Sequence, residues 1–217
     1  MARPASPQGP DGATPTTGTL PPGTVASLLS SLRPEQWTKN LVVFAGVLFG
    51  LRLFVPSDVA KAVAAFAVFC ALSGVVYLVN DILDRDADRR HPLKRHRPIA
   101  SGAISPRTAG VAAFVLGCGA LAAAFWLDRE FGIVSAAYLA LQSAYSGPLK
   151  HVVIIDVLAI ALGFVLRAVA GAVVIDVPIS HWLLVCTILL ALFLALSKRR
   201  HELVLLADGA TEHRRIL

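Results

Sequence analysis

Apolar residues run almost unbroken from Ala62 to Val79, from Thr108 to Leu127 and from Val152 to Val177, and most of the charge falls between such runs. A helix crossing a bilayer needs roughly 20 residues at 1.5 Å rise each. On that measure the pattern predicts six membrane helices, over about 38–55, 58–82, 107–127, 131–147, 152–175 and 181–198. The first and fourth are short for a span, which tilting or a cavity at one end accommodates. Pro56, Pro106, Pro148 and Pro178 lie in or beside connections, where a missing N–H costs little. Gly110, Gly117, Gly163 and Gly171 are expected to let helices approach closely. The class is all-α, a polytopic transmembrane helical bundle, with one domain over 31–217.

Composition agrees. Hydrophobic residues make up 56% of the 217 and charged residues only 16%, against roughly 25% charged in soluble domains. Residues 1–30, rich in Pro, Gly, Ala, Ser and Thr, read as a disordered tail. No apolar core follows a basic start there, so the tail is not a signal peptide, and the first hydrophobic run begins only at Leu41. Cys70, Cys118 and Cys186 lie inside apolar runs without C-x-x-C spacing and are expected to be small core-facing residues.

The net charge of +6 is unevenly placed. Of 20 Lys and Arg, sixteen fall in the N-terminal segment, the 80–107 loop, the fourth connection and the end of the chain. Only Arg52, Lys61 and Arg129 fall on the opposite side, and Arg167 lies within a span. The split predicts a cytoplasmic N-terminus and a cytoplasmic 80–107 loop. The cations are thereby explained as topology and headgroup contact, and no nucleic-acid partner is expected. Arg167 is expected either to face a polar cavity or to snorkel. His181 reads as interfacial on the far side, and the remaining histidines lack metal-site spacing.

Orientation does not explain the carboxylates of Y-L-V-N-D-I-L-D-R-D-A-D-R-R, residues 77–90. On a continuous helix Asp81, Asp84 and Asp88 fall at about 0°, 300° and 340°, on one face and within roughly 10 Å along the axis, whereas Asp86 points elsewhere. Carboxylates gathered at a bilayer surface repel one another. Mg²⁺ removes that repulsion and binds a few carboxylates together with phosphate oxygens. The plainer alternative is a helix end laced with Asp–Arg pairs such as Asp84–Arg85 and Asp88–Arg89.

The run Asn80-Asp81-x-x-Asp84-x-x-x-Asp88 resembles the first aspartate-rich motif of the UbiA superfamily of intramembrane prenyltransferases. Arg97-Pro98-Ile99-Ala100-Ser101-Gly102, with Lys94 three residues upstream, is similar to the basic continuation of that motif. The resemblance runs from about Arg33 to the end of the chain. It implies a UbiA-like bundle of nine helices, so the six expected here end at Leu217 in what would be the loop entering a seventh. It also implies Mg²⁺ as cofactor, held by Asp81, Asp84 and Asp88, with Asn80, Lys94 and Arg97 at the substrate.

A second aspartate-rich motif is usual after the sixth helix in that superfamily, but Ser197-Lys198-Arg199-Arg200-His201-Glu202 stands there instead. Together with Arg33-Pro34-Glu35-Gln36-Trp37-Thr38-Lys39-Asn40, Tyr145-Ser146-Gly147-Pro148-Leu149-Lys150 and Asp156, this segment resembles the decaprenyl-phosphate phosphoribosyltransferase branch. The branch implies phosphoribosyl diphosphate as donor, a polyprenyl phosphate as acceptor and a product used for cell-wall arabinan. Cations suit such substrates, because Lys and Arg bind phosphate directly. Lys39, Tyr145, Lys150, Lys198, Arg199 and Glu202 are expected at substrate. Asp156 is expected to stabilise a cationic sugar or bind metal, or else to serve as a helix-end hydrogen-bonding group. Tyr145 has an interfacial anchor as its alternative. Lipid surrounds such a protein, and self-association stays open. The rival readings are an aromatic prenyltransferase using a prenyl diphosphate, a transporter, and a non-catalytic membrane protein.

Overall fold

The computed structural model describes residues 23–146 and 153–215, and every regular element in them is helical. Helix α1 (Thr24–Ser31) leads through Arg33 into a long 3-10 segment (Pro34–Phe44) and a short α2 (Ala45–Phe49). Then come α3 (Pro56–Leu83), α4 (Arg85–Arg90), a 3-10 turn (Lys94–His96) and α5 (Pro98–Ser101). The chain continues through α6 (Pro106–Leu127), α7 (Arg129–Ser146), α8 (Val153–Val173) and α9 (His181–Arg215). Helix α1 occupies part of the stretch that composition assigns to the tail, and residues 1–22 lie outside the described residues.

Local chemistry starts and stops these helices. Pro56 and Pro106 open α3 and α6, where a ring that lacks N–H fits the first turn. The Ser105 hydroxyl caps α6 by accepting from the Thr108 N–H at 3.0 Å, and Asp128 accepts from the Phe131 N–H at 2.8 Å at the start of α7. Helix α5 ends at Gly102 with φ of 88°, a left-handed stop suited to a residue without Cβ.

Helix α3 is the centre, packing against α6, α7, α8 and the 3-10 segment, and α9 lies along α8. Helix α6 shows how the packing works. Its buried residues are Ala109, Ala113, Gly117, Ala120 and Ala124, all small. Phe114, Val115, Phe125 and Trp126 project outward from the same helix. Small residues inside and large apolar ones outside is the reverse of a soluble helix, and it lets backbones approach within a bilayer. Among the described residues two helices, α3 and α6, are long and apolar enough to cross a membrane by themselves, with shorter apolar stretches at Val157–Val173 and His181–Ser197. Against the six spans expected, two stand clear among the described residues.

The first expected span, 38–55, departs most from expectation. It is a 3-10 segment followed by one short helix, with a turn at 50–55. Side chains three apart eclipse one another in a 3-10 helix. That winding puts Asn40 and Val43 on one side, and both are buried, as is Gly46 in α2. A Cβ on Gly171 would lie 1.8 Å from the Val43 carbonyl oxygen, and one on Gly46 would lie 2.4 Å from the Gly171 oxygen. The segment thus lies backbone to backbone on α8. Of the other glycines, Gly117 makes ordinary contact with Val75, but Gly110 has nothing within 4 Å. Cys70 is buried as expected, whereas Cys118 and Cys186 are exposed, on outward faces of α6 and α9. The sixth expected helix, 181–198, continues as α9 to Arg215.

Candidate active site

The acidic motif sits at the end of α3, where the helix dipole is negative and a carboxylate is disfavoured unless cations meet it. Two guanidinium groups do so. Arg33 Nη2 donates to Asp81 Oδ1 at 2.6 Å, and Arg97 Nη1 lies 3.2 Å from that same oxygen. Arg97 Nη1 also donates to Asp88 Oδ2 at 2.6 Å. Asp81 and Asp88 are 2% and 3% exposed, so this charge is compensated inside the protein rather than by water.

The helix is interrupted at Asp84, which closes α3 and opens α4 with φ −89° and ψ 3°. Asp81 and Asp88 therefore converge through Arg97, while Asp84 stands half-buried at the junction. Aspartate–arginine pairing does occur at this helix end, joining Asp81 and Asp88 to Arg33 and Arg97 from distant segments.

The rest of the basic loop is folded around this pair. Arg89 Nε donates to the Ala100 carbonyl at 2.9 Å, tying α4 to α5, and His91 Nδ1 accepts from the Leu93 and Lys94 N–H groups at 3.2 and 3.4 Å. Arg33 reaches the site from a left-handed backbone position, φ 51°, that non-glycine residues rarely adopt. Its guanidinium also lies over the Tyr77 ring, 4.8 Å from the centroid. A cleft of about 420 Å³ opens beside these groups, lined by Ser30, Ser31, Arg33, Glu35, Gln36, Asp81, Leu93, His96, Arg97 and Pro98.

Of the residues expected from sequence, Asp81 and Arg97 line the cleft and Asp88 lies directly behind Arg97. Asn80 is half-buried one residue before Asp81, and its carbonyl accepts from the Asp84 N–H at 2.8 Å. Lys94 is exposed in the 3-10 turn, Lys39 is exposed on the 3-10 segment and Tyr145 is half-buried near the end of α7. Lys150 lies outside the described residues. The backbone of Asp156 belongs to α8 and that of Lys198, Arg199 and Glu202 to α9, but their side chains lie outside the described residues. Arg33 was missed as a site residue. Its signal is present, because it opens the polar segment directly ahead of the first apolar run. Glu35 and Gln36, also on the cleft wall, belong to that same segment, and His96 lies in the basic loop.

The donor set can be tested against Mg²⁺. Among the described residues no three His, Cys, Asp or Glu side chains are gathered as a metal cluster. Two carboxylate oxygens, however, converge on a single cationic nitrogen at 3.2 and 2.6 Å. Mg²⁺ takes one or two carboxylates and fills its remaining positions with phosphate oxygens and water. Asp81 and Asp88 fit that demand, and Asp84 stands at the helix junction between them in sequence.

The decaprenyl-phosphate phosphoribosyltransferase of Mycolicibacterium smegmatis is 41% identical over 197 residues, covering 89% of this chain and 62% of that protein. The protein of the same name from Corynebacterium glutamicum is 36% identical, covering 85% of this chain and 57% of its own length. The chain thus spans about three fifths of the curated relatives it matches. A UbiA homolog from Archaeoglobus fulgidus, solved bound to GPP and Mg²⁺, superposes with a TM-score of 0.67 at 26% identity, over 76% of this chain and 60% of that one. The UbiA prenyltransferase family model matches residues 21–201, and the chain belongs to that family of integral membrane proteins.

Proposed function

We infer that the protein transfers 5-phosphoribose from phosphoribosyl diphosphate to a polyprenyl phosphate, with decaprenyl phosphate the acceptor suggested by the relatives' name. The observation that carries the reading is the cleft lined by Asp81, Arg33 and Arg97, with buried Asp88 held behind Arg97. A site for phosphorylated substrates needs both signs: cations that grip phosphate oxygens and carboxylates for a divalent ion. The basic Lys198-Arg199-Arg200 segment, where an acidic motif is usual, supports a donor with a second phosphate.

In the proposed reaction the bond between ribose C1 and the diphosphate oxygen breaks, and the diphosphate leaves with the electron pair. A lipid phosphate oxygen forms the new bond to C1. That oxygen is already anionic, so no side chain has to remove a proton. Arg33 and Arg97 are placed to donate to diphosphate oxygens by charge-assisted hydrogen bonds. Asp81 and Asp88 set where those guanidinium groups point. Asp81 and Asp88, with Asp84 nearby, would hold Mg²⁺, which when bound would neutralise charge on the leaving diphosphate. Lys39, Lys94, Lys150, Lys198, Arg199 and Tyr145 are assigned to phosphate groups, and Asp156 and Glu202 to the sugar or metal. The site faces the cytoplasm from the inner membrane, and the product feeds cell-wall arabinan.

The test uses full-length protein in lipid nanodiscs with decaprenyl phosphate and labelled phosphoribosyl diphosphate, with and without Mg²⁺. Metal-dependent appearance of a phosphoribosyl lipid is expected. Consumption of a prenyl diphosphate with an aromatic acid, and no phosphoribosyl lipid, would replace this reading with an aromatic prenyltransferase.

A further inference from the structure

Arg167 is a permanent cation in the apolar run of α8, and only 6% of it is exposed. It neither snorkels nor borders the cleft. Its Nε donates to Asn40 Oδ1 at 2.7 Å, its Nη2 to the Tyr138 hydroxyl at 2.7 Å and its Nη1 to the Gly163 carbonyl at 2.9 Å. Among the described residues no carboxylate pairs with it; it lies over the Tyr138 ring instead, 4.7 Å from the centroid.

The surrounding hydrogen bonds have a forced direction. Asn40 Oδ1 accepts from Arg167 and from Ser73 Oγ, the latter at 3.2 Å, while Asn40 Nδ2 points to Cys70 Sγ at 3.4 Å. Ser73 has one hydroxyl hydrogen and gives it to Asn40, so at 3.2 Å Tyr138 must donate to Ser73. The chain of donors ends on Asn40, which is wholly buried and belongs to the 3-10 segment.

Arg167 and Gly171 are one helical turn apart on the same face of α8. They meet Asn40 and Val43, one 3-10 turn apart. The first meeting is electrostatic and the second steric, and together they hold a winding that seldom exceeds three or four residues over the eleven of Pro34–Phe44. Upstream of Asn40, this segment carries the cleft residues Glu35 and Gln36 and is preceded directly by Arg33.

We propose that Arg167 is a positioning residue: from within the membrane it clasps Asn40 and Tyr138, and thereby fixes the 3-10 segment that presents Arg33 to the Asp81 side of the cleft. It touches no substrate. Loss of the clasp lowers the fraction of molecules with a competent cleft wall. Apparent affinity then falls in proportion to that fraction, while saturating donor restores full turnover. The kinetic part rests on the phosphoribosyl-donor reading, and the conformational part does not.

The test uses full-length protein in nanodiscs, with Cys118 and Cys186 changed to Ser and the buried Cys70 kept. Nitroxides at Gln36→Cys and Leu93→Cys report the distance across the cleft. A second pair at Leu83→Cys and Leu93→Cys omits the 3-10 segment. Arg167→Met should broaden the first distribution and leave the second unchanged. Arg167→Lys, which keeps the charge but not the three-way geometry, should fall between. If Arg167→Met cannot be purified folded, Asn40→Ala supplies the same comparison from the other end of the clasp. The KM for phosphoribosyl diphosphate should rise by the reciprocal of the fraction left at the wild-type distance, about 10-fold if one tenth remains, with kcat kept. An unchanged Gln36–Leu93 distribution in a folded variant overturns the clasp. Equal broadening of both pairs, or a fall in kcat at constant KM, overturns positioning. A wild-type protein that leaves phosphoribosyl diphosphate untouched overturns the functional reading, and the distances then decide the clasp alone.

Discussion

Replacing Gly171 by alanine should separate the 3-10 segment from α8. The new Cβ would lie 1.8 Å from the Val43 oxygen, 2.7 Å from its carbonyl carbon and 3.0 Å from its Cα. These are backbone atoms, so no rotamer change relieves the clash. The two backbones must part by about 1.5 Å to reach the roughly 3.3 Å of the shortest ordinary C···O contact. Overpacking of this kind costs about 1–3 kcal/mol. For a chain of this size each kcal/mol shifts the midpoint by about 2–4 °C, so a loss of roughly 2–12 °C is expected. Gly119 provides the contrast, because it is exposed on α6 with nothing within 4 Å. Gly119→Ala should be neutral or should raise the midpoint by about 1–4 °C, through reduced freedom of the unfolded chain. Thermal unfolding in detergent, followed by tryptophan fluorescence, reads both variants, with Trp37 reporting from the 3-10 segment itself. Equal midpoints for Gly171→Ala and wild type would refute the close approach. Equal losses for the two variants would refute the claim that this contact is specific.

Asp81→Asn and Asp88→Asn in full-length protein should each abolish phosphoribosyl transfer while the protein still purifies folded; near-normal turnover of both at limiting Mg²⁺ would remove the metal assignment. Lys198→Ala or Arg199→Ala should raise the KM for phosphoribosyl diphosphate by about 10- to 100-fold, the equivalent of roughly 1.5–3 kcal/mol for a charged hydrogen bond. The Mg²⁺ dependence of those two variants should stay unchanged, and a parallel shift in it would count against a separate phosphate pole. A cysteine at Arg95→Cys should react with an impermeant reagent only from the cytoplasmic side, and one at Arg129→Cys only from outside. The reverse labelling pattern would invert the proposed orientation.

Long helices were legible because length and apolarity survive any packing: α3, α6, α7 and α8 lie within a few residues of their expected limits. The 38–55 segment was not. Its composition suits a membrane helix, and its 3-10 winding follows from contacts with Arg167 and Gly171, more than 120 positions along the chain. The aspartate face was half legible. Spacing placed Asp81 and Asp88 together, but the break at Asp84 depends on a loop that folds back through Arg89 and Ala100. Arg97 was expected at substrate, yet its bridging of two carboxylates could not be read from a linear motif. Arg167 was conspicuous as a lone charge. That it would be met by hydroxyl, amide and carbonyl oxygens, rather than by water or lipid headgroups, required knowing which faces of the 3-10 segment, α7 and α8 meet.

The hydrogen bond between Asn40 and Arg167 also sets a clock, because 127 residues separate its partners. Synthesis at about 5–20 residues per second puts Arg167 into the nascent chain roughly 6–25 s after Asn40. During that interval α3, α6 and α7 can form and associate, and the cleft wall ahead of them rests on α3 alone, without its α8 anchor. Tyr138 and Ser73 then wait as a half-built polar socket in lipid, the kind of exposure that membrane quality control detects. The acidic motif is thus translated early and matures late, so a stall before α8 would leave carboxylates at the membrane surface without the wall that completes their site.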